Sequence, residues 1–275
     1  MTTRVFVGAD EVAAIPPDDR GFAYGDGLFE TMRIHGGRVP WWDAHWARLS
    51  RGARHLAIAL PPAQRVREEV EAASRGAGTG VLKLVVSRGA GGRGYAPEAA
   101  PTPTWTLGVH PLPASLPVEG IAVRWCGTRL ATQPALAGFK HCNRLEQVLA
   151  RAEWATATDA EAHEGLMRSI DGDVVCATAA NVFVLSGDVW RTPALDRCGV
   201  AGVCREHVLR LVPAHVGVVT VDEVESADAV VLCNAVRGIL PVARLGLRTW
   251  APHPAVRALQ RQLAGLHPAF VVEES

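Results

Sequence analysis

Short apolar runs alternate with amphipathic segments along the first part of the chain. Residues 28–34 have the composition of a strand, and the Gly-Gly pair that follows predicts a hairpin turn into a second strand over 38–42. Two segments, 43–55 and 65–78, repeat their apolar residues at helical spacing and predict helices. The other strand-like runs of this part are 4–8, 81–89 and 104–112.

The same alternation resumes after a segment rich in proline and small residues at 110–120, which we interpret as a linker. Beyond it, the apolar spacing predicts amphipathic helices over 143–157, 204–216 and 256–266. Strands and helices thus alternate in both parts, which predicts two α/β domains, residues 1–113 and 114–275. The strand-like runs of the second part are 121–130, 165–170, 174–187, 188–193 and the two ends of 229–246.

Composition excludes several classes of protein. The 275 residues include 28 basic and 28 acidic side chains, a balance that offers no electrostatic footprint for nucleic acid or for an anionic membrane. No apolar run approaches the roughly 18 residues of a membrane-spanning helix, and the first residues lack a signal-peptide core. The six cysteines and ten histidines are dispersed, without the spacing of a zinc site. We therefore expect a reduced, cytoplasmic, metal-free protein.

Lysine is scarce in this chain. Only Lys83 and Lys140 are lysines, and the other 26 of the 28 basic residues are arginines. An arginine guanidinium stays protonated and cannot act as an amine nucleophile, whereas a lysine amine can. The two lysines are therefore the first candidates for covalent chemistry, although either could also be an ordinary solvated side chain.

A glycine-rich motif, GAGGRG at 89–94, has the spacing of a dinucleotide-binding loop and follows a strand-like run. Such a site needs a helix that begins at the last glycine, so that the helix N-terminus meets the pyrophosphate. The prolines at 97, 101 and 103 exclude that helix. We interpret the segment as a flexible loop that carries Arg93, either a lid over an anionic substrate or a solvated turn.

Seven stretches, in order along nearly the whole chain, carry recognisable motifs: DRGFAYGDGLFETMRI (19–34), AHWARL (44–49), GVLKLVVSRGAGGRGYA (80–96), LAGFKHCNRLEQVLARAEW (136–154), ATAANVF (177–183), TPALDRCGVAGVCRE (192–206) and VLCNAVRGILPV (231–242). Together they resemble the fold-type IV pyridoxal-phosphate enzymes, the group of branched-chain and D-amino-acid aminotransferases. The resemblance implies an α+β or α/β two-domain fold with the cofactor between the domains, usually as a homodimer. KHCNRLEQVL and SRGAGGRGY resemble the family's lyases for 4-amino-4-deoxychorismate more than its aminotransferases.

The resemblance also implies roles for individual residues. Lys140 matches the lysine that forms a Schiff base with pyridoxal 5′-phosphate and then acts as general base. Its apolar neighbours Leu136 and Phe139 favour this role, because desolvation lowers the pKa of an amine. Arg48 matches the arginine that binds the cofactor phosphate. The remaining cofactor matches are a phosphate cradle at a helix start (Gly202, Val203, Cys204), a second phosphate-side turn (Asn234, Ala235) and Arg144, which stands where aminotransferases have a tyrosine near the pyridine hydroxyl.

One position departs from the family pattern. A glutamate that holds the pyridine nitrogen protonated normally stands five residues before the asparagine of the N-x-F motif, and here Asn181 places Cys176 at that position. A thiol is normally neutral at pH 7 and is a weak acceptor, so it cannot stabilise a pyridinium as a carboxylate does. Transamination should suffer more from this loss than an elimination whose product becomes aromatic, so Cys176 favours a lyase.

The substrate side follows from strand alternation. A period of two puts Phe29, Thr31 and Arg33 on one face of the strand, and the matching strand of the family turns this face toward the substrate. A substrate with two carboxylates needs cations, and arginine binds a carboxylate with a bidentate fork. Arg33, Arg93 and Arg237 are our candidates, each of which could instead be an ordinary exposed arginine.

The implied reaction converts 4-amino-4-deoxychorismate, a small-molecule substrate, to 4-aminobenzoate and pyruvate, a step towards folate. Lys140 would remove the proton from the carbon that bears the substrate nitrogen, and Lys140 or Thr31 would assist departure of the enolpyruvyl group. Two alternatives stay open at this point: a D-amino-acid or branched-chain aminotransferase of the same fold, and a cofactor-binding protein without turnover.

Overall fold

The structure is a computed structural model that describes residues 3–155 and 161–272. The chain folds into two compact units. The first unit comprises Met1–Pro113 with Phe139–Asn143, and the second comprises Ala114–Gly138 with Arg144–Ser275.

The segment Phe139–Asn143, which includes Lys140, groups with the first unit, whereas the sequence analysis assigned it to the second domain. Backbone hydrogen bonds to one strand of the first unit explain the difference. The Phe29 N–H donates to the carbonyl of Lys140 at 3.0 Å, and the Cys142 N–H donates to the carbonyl of Gly27 at 2.8 Å. Sequence separation alone gives no indication of this pairing.

A five-stranded antiparallel sheet organises the described part of the first unit, in the order β2-β1-β5-β4-β3. Its elements are β1 (Arg4–Val7), β2 (Asp10–Val12), α1 (Arg20–Tyr24), β3 (Gly27–Ile34), α2 (Trp42–His55), α3 (Ala63–Ala77), β4 (Gly80–Ser87) and β5 (Thr104–His110). Leu28, Met32 and Ile34 alternate along β3 and are buried on one face of the sheet. Leu49 of α2 and Val66 of α3 join the same apolar cluster, so both helices cover this face.

The predicted hairpin strand over 38–42 is wrong. His35 and Arg38 close a tight turn with a single bridge, and α2 begins directly at Trp42. Pro40 has no N–H for a strand ladder, and Trp41 lies at a φ of 59°, outside the β region. The short helix α1 was not predicted. The Asp19 carboxylate caps it by accepting from the N–H groups of Gly21 and Phe22 at 2.8 and 3.3 Å.

A mixed sheet organises the described part of the second unit, in the order β11-β10-β9-β12-β13-β6-β7-β8, with β14 paired to β13. Its strands are β6 (Ile121–Leu130), β7 (Glu164–Ser169), β8 (Val174–Ala177), β9 (Asn181–Ser186), β10 (Val189–Pro193), β11 (Ala214–Gly217), β12 (Ala229–Asn234), β13 (Gly238–Leu245) and β14 (Arg248–Thr249). Its helices are α4 (Leu145–Ala152), α5 (Val203–Leu211), α6 (Val221–Ser226) and α7 (Pro254–Leu266). Ile121, Leu166, Val182 and Val230 belong to its largest buried cluster.

Two predicted helices of this unit differ from the structure. The helix predicted over 204–216 ends at Leu211, because Pro213 lacks the donor that would continue it, and Ala214–Gly217 pairs with β10 as a parallel strand instead. The helix predicted over 143–157 is α4 followed by one 3₁₀ turn, Glu153–Ala155, and its last two residues lie outside the described ones.

Helix α6 was missed, although the sequence carries its signal. The Thr220 side chain accepts from the N–H of Glu223 at 3.1 Å, and the Glu223 carboxylate accepts from the N–H of Thr220 at 2.8 Å. This reciprocal pair is the capping box, which a threonine and a glutamate three residues apart can form at a helix start.

Within residues 3–155 and 161–272, no helix has the length and apolarity needed to cross a membrane. The same residues contain no group of three or more His, Cys, Asp or Glu side chains placed to hold a metal ion.

Substitution of Gly89 tests whether the backbone of the glycine-rich loop requires a glycine at this position. Gly89 has a φ of +96°, and an added Cβ would lie 1.9 Å from the carbonyl oxygen of Thr102. We expect Gly89→Ala to lower the free energy of unfolding by about 2 kcal/mol or more, measured by urea denaturation. Gly92→Ala is the matched control, since a Cβ there meets nothing within 4 Å. Equal effects of the two substitutions would contradict this account.

Candidate active site

The face of β3 that points away from the buried cluster carries Phe29, Thr31 and Arg33. All three side chains are half-buried, whereas their neighbours on the strand are buried. The predicted alternation of this strand is thereby confirmed. Thr31 lies directly opposite Lys83 of β4 in the antiparallel register.

A buried carboxylate interrupts the apolar face of the same strand. Glu30 accepts a hydrogen bond from Nδ1 of His45 at 2.6 Å and another from Nε of Arg48 at 2.8 Å. Nε of Arg48 donates to Oε1, and a second guanidinium nitrogen of Arg48 donates to Oε2, the oxygen that also accepts from His45. His45 and Arg48 lie three residues apart on α2, so one face of the helix presents both to the strand. The cluster Glu30–His45–Arg48 therefore fixes α2 on β3 through polar contacts.

The charges in this cluster follow from burial and pairing. Burial opposes ionisation of Glu30, but the charge of Arg48, helped by hydrogen bonds from His45 and Arg48, lowers the pKa of Glu30 to about 2. Burial lowers the pKa of His45 below its ordinary value, against the opposing effect of Glu30, and the charges of Arg48 and Lys140 lower it further. His45 is therefore a neutral ring that donates from Nδ1. Its Nε2 is buried and has no hydrogen-bond partner among the described residues.

Lys140 lies close enough to this cluster for its charge to lower the pKa of His45. Its ammonium nitrogen is 4.2 Å from the centroid of the Phe29 ring, a cation–π contact. Leu28 and His141 form a β-bridge that holds the Lys140 segment along β3. The structure thus brings the predicted residues Lys140, Phe29 and Arg48 together in the first unit.

In the second unit, the predicted phosphate cradle is the start of α5. Gly202 is the N-cap residue and offers no side chain to the first N–H groups of the helix, which include those of Val203 and Cys204. An added Cβ on Gly202 would lie 2.0 Å from Oδ1 of Asn181, so a larger residue would have to displace the Asn181 side chain, whose Nδ2 donates to the carbonyl of Val200 at 2.9 Å. Backbone N–H groups at a helix N-terminus, without a capping side chain, suit an anion such as phosphate.

Asn234 forms the turn between β12 and β13. Its Oδ1 accepts from the N–H groups of Val236 and Arg237 at 3.0 and 2.8 Å, and its Nδ2 donates to the carbonyl of Ala179 at 3.3 Å. Ala235 lies half-buried within this turn. The side chain of Asn234 therefore stabilises the turn through these hydrogen bonds.

A cavity of about 550 Å³ lies within the second unit and brings together three predicted residues, Arg144, Asn234 and Arg237. Arg151 and Glu164, which were not predicted from the sequence, also line this cavity. Glu164 is held by the Thr178 hydroxyl and by the N–H of Gly165 at 2.9 Å. Arg151 lies within the stretch 136–154 only as one more charged helix residue, and Glu164 lies outside all seven stretches, so neither carries a signal of its own.

The three predicted substrate arginines differ in position. Arg33 is half-buried in the first unit, and burial lowers its pKa. Arg93 is exposed, and its loop is tied at one end, because Arg20 donates to the carbonyls of Gly94 and Tyr95 at 3.0 Å each. Arg237 donates to the carbonyl of Ala114 at 2.9 Å and lines the cavity of the second unit.

Cys176 lies on β8 in a buried cluster with Cys126, Leu130, Ala150 and Met167. Burial raises the pKa of its thiol to about 12, with a further contribution from Cys198. The thiol is therefore uncharged at neutral pH, as the sequence analysis expected of a cysteine at this position.

Comparison with known proteins identifies the enzyme family to which this chain belongs. The family model for aminotransferase class IV matches residues 27–245, so the chain belongs to this family, whose members depend on pyridoxal 5′-phosphate. The two units with their separate sheets have the fold of the fold-type IV enzymes, as the sequence analysis predicted.

Three similar proteins show which members of the family this chain resembles in sequence and structure. A solved structure of 4-amino-4-deoxychorismate lyase from Pseudomonas aeruginosa is 42% identical with a TM-score of 0.88, and the match covers 95% of this chain and 98% of that one. Aminodeoxychorismate lyase from Vibrio harveyi is 35% identical over 83% of this chain and 86% of that protein. D-alanine aminotransferase from Bacillus licheniformis is 28% identical over 91% of this chain and 90% of that protein.

Replacement of Glu30 tests how much the buried cluster Glu30–His45–Arg48 contributes to the free energy of unfolding. Glu30→Gln keeps the shape but leaves the charge of Arg48 buried without its counter-ion, so we expect the free energy of unfolding at pH 7 to fall by about 3 kcal/mol or more. Because the pKa of Glu30 is depressed, its contribution is present above about pH 4.5 and is lost as the pH falls through about 2. The difference between wild type and variant should shrink over that range of pH in urea denaturation.

Glu71→Gln is the matched control for this substitution. Glu71 lies on α3, is half-exposed and pairs with Arg67 and Arg75 at 3.6 and 3.7 Å. We expect it to cost less than about 1 kcal/mol, because exposed ion pairs contribute little. A Glu30→Gln variant as stable as the control would contradict the proposed importance of the cluster.

Proposed function

We propose that this protein is a lyase that uses pyridoxal 5′-phosphate to convert 4-amino-4-deoxychorismate to 4-aminobenzoate and pyruvate. The observation that carries the proposal is the position of Lys140, whose amine contacts Phe29 beside the Glu30–His45–Arg48 cluster. The similarity to lyases at 35% and 42% identity supports the substrate assignment, and the lower identity to an aminotransferase supports it further.

The chemistry of the residues fits the cofactor. Lys140 supplies the amine for its aldehyde, and Arg48 supplies a cation for its phosphate. The start of α5 at Gly202 supplies N–H donors that no capping side chain uses, and a Cβ there would fill the space taken by Asn181. In this proposal Val203 and Cys204 join Gly202 as phosphate donors, Asn234 and Ala235 form a second phosphate-side turn, and Arg144 and Cys176 face the ring.

When bound, the cofactor withdraws electrons from the carbon that carries the substrate nitrogen. Lys140 then removes the proton from that carbon as general base. The electron pair forms the ring double bond as the neighbouring carbon–oxygen bond breaks, and the enolpyruvyl oxygen leaves. Lys140 or the Thr31 hydroxyl donates a proton to the leaving group, which becomes pyruvate. The ring gains aromaticity, so no oxidant is required.

Cys176 favours this elimination over transamination. Its neutral, buried thiol offers the pyridine nitrogen no negative charge, so a carbanion would be poorly stabilised. Transamination must hold that carbanion until it is reprotonated, whereas elimination expels the neighbouring oxygen. The absence of a carboxylate at this position therefore costs the lyase less.

We also propose that the protein acts as a cytoplasmic homodimer. Leu145, Val148 and Leu149 form one apolar face of α4 and are 76%, 59% and 60% exposed in the single chain. An apolar helix face of this kind is typical of an association surface.

A charge on the exposed face of α4 tests the dimer. We expect Leu149→Glu to convert a dimer into a monomer in size-exclusion chromatography with light scattering, because it would bury an unpaired carboxylate. Leu247→Glu is the control, since Leu247 is fully exposed in the turn before β14. A wild-type monomer, or a Leu149→Glu dimer, would contradict the assignment.

A product assay tests the reaction. Purified protein loaded with the cofactor should release equimolar 4-aminobenzoate and pyruvate from enzymatically generated 4-amino-4-deoxychorismate. Lys140→Ala should lower the rate at least a thousandfold, and Lys140→Arg should be equally inactive because it keeps the charge without the nucleophile.

The same preparation tests the alternatives. Conversion of bound cofactor to its pyridoxamine form by D-alanine or a branched-chain amino acid, without release of 4-aminobenzoate, would identify an aminotransferase. Bound cofactor without product from either class of substrate would identify a protein without turnover.

A further inference from the structure

Another cavity lies in the first unit, between residues 36–39, the start of α2 and helix α3, and we call it the turn pocket. Its volume is about 580 Å³, within the range of roughly 300–1,000 Å³ that is usual for small-molecule sites. Because α2 and α3 cover the buried face of the sheet, the pocket lies on the side opposite to Phe29. The Gly37 N–H donates to the carbonyl of Gly78 at 2.7 Å, which ties the turn to the end of α3. The walls of the pocket are therefore preformed.

Arginine dominates the charge of the turn pocket. Its described lining residues include three arginines and one acidic residue: Arg38, Arg67, Arg75 and Glu71. Glu71 lies 3.6 Å from Arg67 and 3.7 Å from Arg75, longer than a charge-assisted hydrogen bond. Arg38 is exposed and has no ion pair among the described residues. Asp43, outside the lining, pairs with Arg67 at 3.2 Å. Three guanidinium groups thus face two carboxylates, which leaves an excess of one positive charge.

A buried hydroxyl also lines the turn pocket. Ser74 of α3 is 1% exposed, and its Oγ has no hydrogen-bond partner among the described residues. A serine inside a helix usually bonds to the carbonyl four residues earlier or points to solvent, and Ser74 does neither. Buried polar atoms without a partner are rare in folded proteins. The Ser74 hydroxyl therefore offers a hydrogen bond to a molecule in the pocket.

The remaining wall of the turn pocket is apolar. Val39, Trp42 and Val70 belong to its lining. The half-buried ring of Trp42 stacks on Trp46 with the two ring centroids 5.7 Å apart, so its orientation is fixed. A planar ring can pack against such an indole.

We propose that the turn pocket binds a small aromatic carboxylate. Its ring packs against Trp42, and its carboxylate is held by the arginines and by the Ser74 hydroxyl. A guanidinium binds a carboxylate with a bidentate fork, and an excess of one positive charge suits a monoanion. No bond is made or broken in this pocket. The inference does not depend on the proposed function, because none of the described lining residues belongs to the candidate active site.

Isothermal titration calorimetry of the protein loaded with pyridoxal 5′-phosphate tests the site, with benzoate as the probe. We expect Arg38→Met and Arg75→Met each to weaken benzoate binding at least tenfold, because each removes a charged donor. Ser74→Ala should weaken it about threefold, since a neutral hydroxyl contributes less than a guanidinium.

Arg261→Met is the matched control. Arg261 is an exposed arginine of α7 in the second unit, so this variant loses the same charge away from the turn pocket. Its Kd for benzoate should equal that of the wild type. The midpoint of thermal unfolding without benzoate should be unchanged in all three arginine variants, which separates loss of the site from loss of the fold.

Related probes separate the ring from the charge. Benzamide keeps the ring without the charge and should bind at least tenfold more weakly than benzoate. Cyclohexanecarboxylate keeps the charge without the aromatic ring and should bind at least threefold more weakly. Inorganic phosphate that binds more tightly than benzoate, and that depends on Arg38 and Arg75, would assign the pocket to a phosphate group and overturn the proposal.

Absence of benzoate binding, or wild-type affinity in Arg38→Met, Arg75→Met and Ser74→Ala, would also overturn it. Neither result would affect the proposed function, whose test is the release of product by Lys140. Conversely, a protein that forms no product but binds benzoate through Arg38 and Arg75 would retain this site and lose the proposed function.

Discussion

The ion pair between Glu30 and Arg48 is buried, and the position of helix α2 on strand β3 depends on it. An ionised carboxylate cannot stay in an apolar layer without partners, because the cost of removing it from water is several kcal/mol. Arg48 and His45 satisfy both oxygens of Glu30 from one face of α2. The same contacts fix the guanidinium that we assign to a phosphate, so the constraint that positions the helix also prepares a cation for the ligand.

The alternation of β3 connects this buried cluster to the face on which we place the chemistry. Successive residues of a strand point to opposite sides. Glu30 is therefore buried in the interior, whereas Phe29 and Thr31 point to the other side of the sheet. Lys140 reaches the Phe29 ring because residues 139–143 pair with β3 through the backbone. One strand thus carries the structural carboxylate on one side and the proposed chemistry on the other.

Much of this arrangement could be predicted from the sequence. Period-two alternation separated the two faces of β3, and helical spacing identified α2, α3 and α7. Pairing between distant segments could not be predicted, which is why Phe139–Asn143 was assigned to the wrong unit. The partners of Glu30 were missed for the same reason: His45 and Arg48 are ordinary polar residues of an amphipathic helix until the strand beneath them is known.

The scarcity of lysine allows a direct test of the central claim that Lys140 holds the cofactor. The protein loaded with pyridoxal 5′-phosphate is reduced with borohydride, digested with trypsin and analysed by mass spectrometry. Trypsin does not cleave at a modified lysine, so the account predicts a phosphopyridoxyl group on the peptide 130–144 and an unmodified Lys83. A phosphopyridoxyl group on the peptide 76–88, which contains Lys83, or on neither peptide, would contradict it.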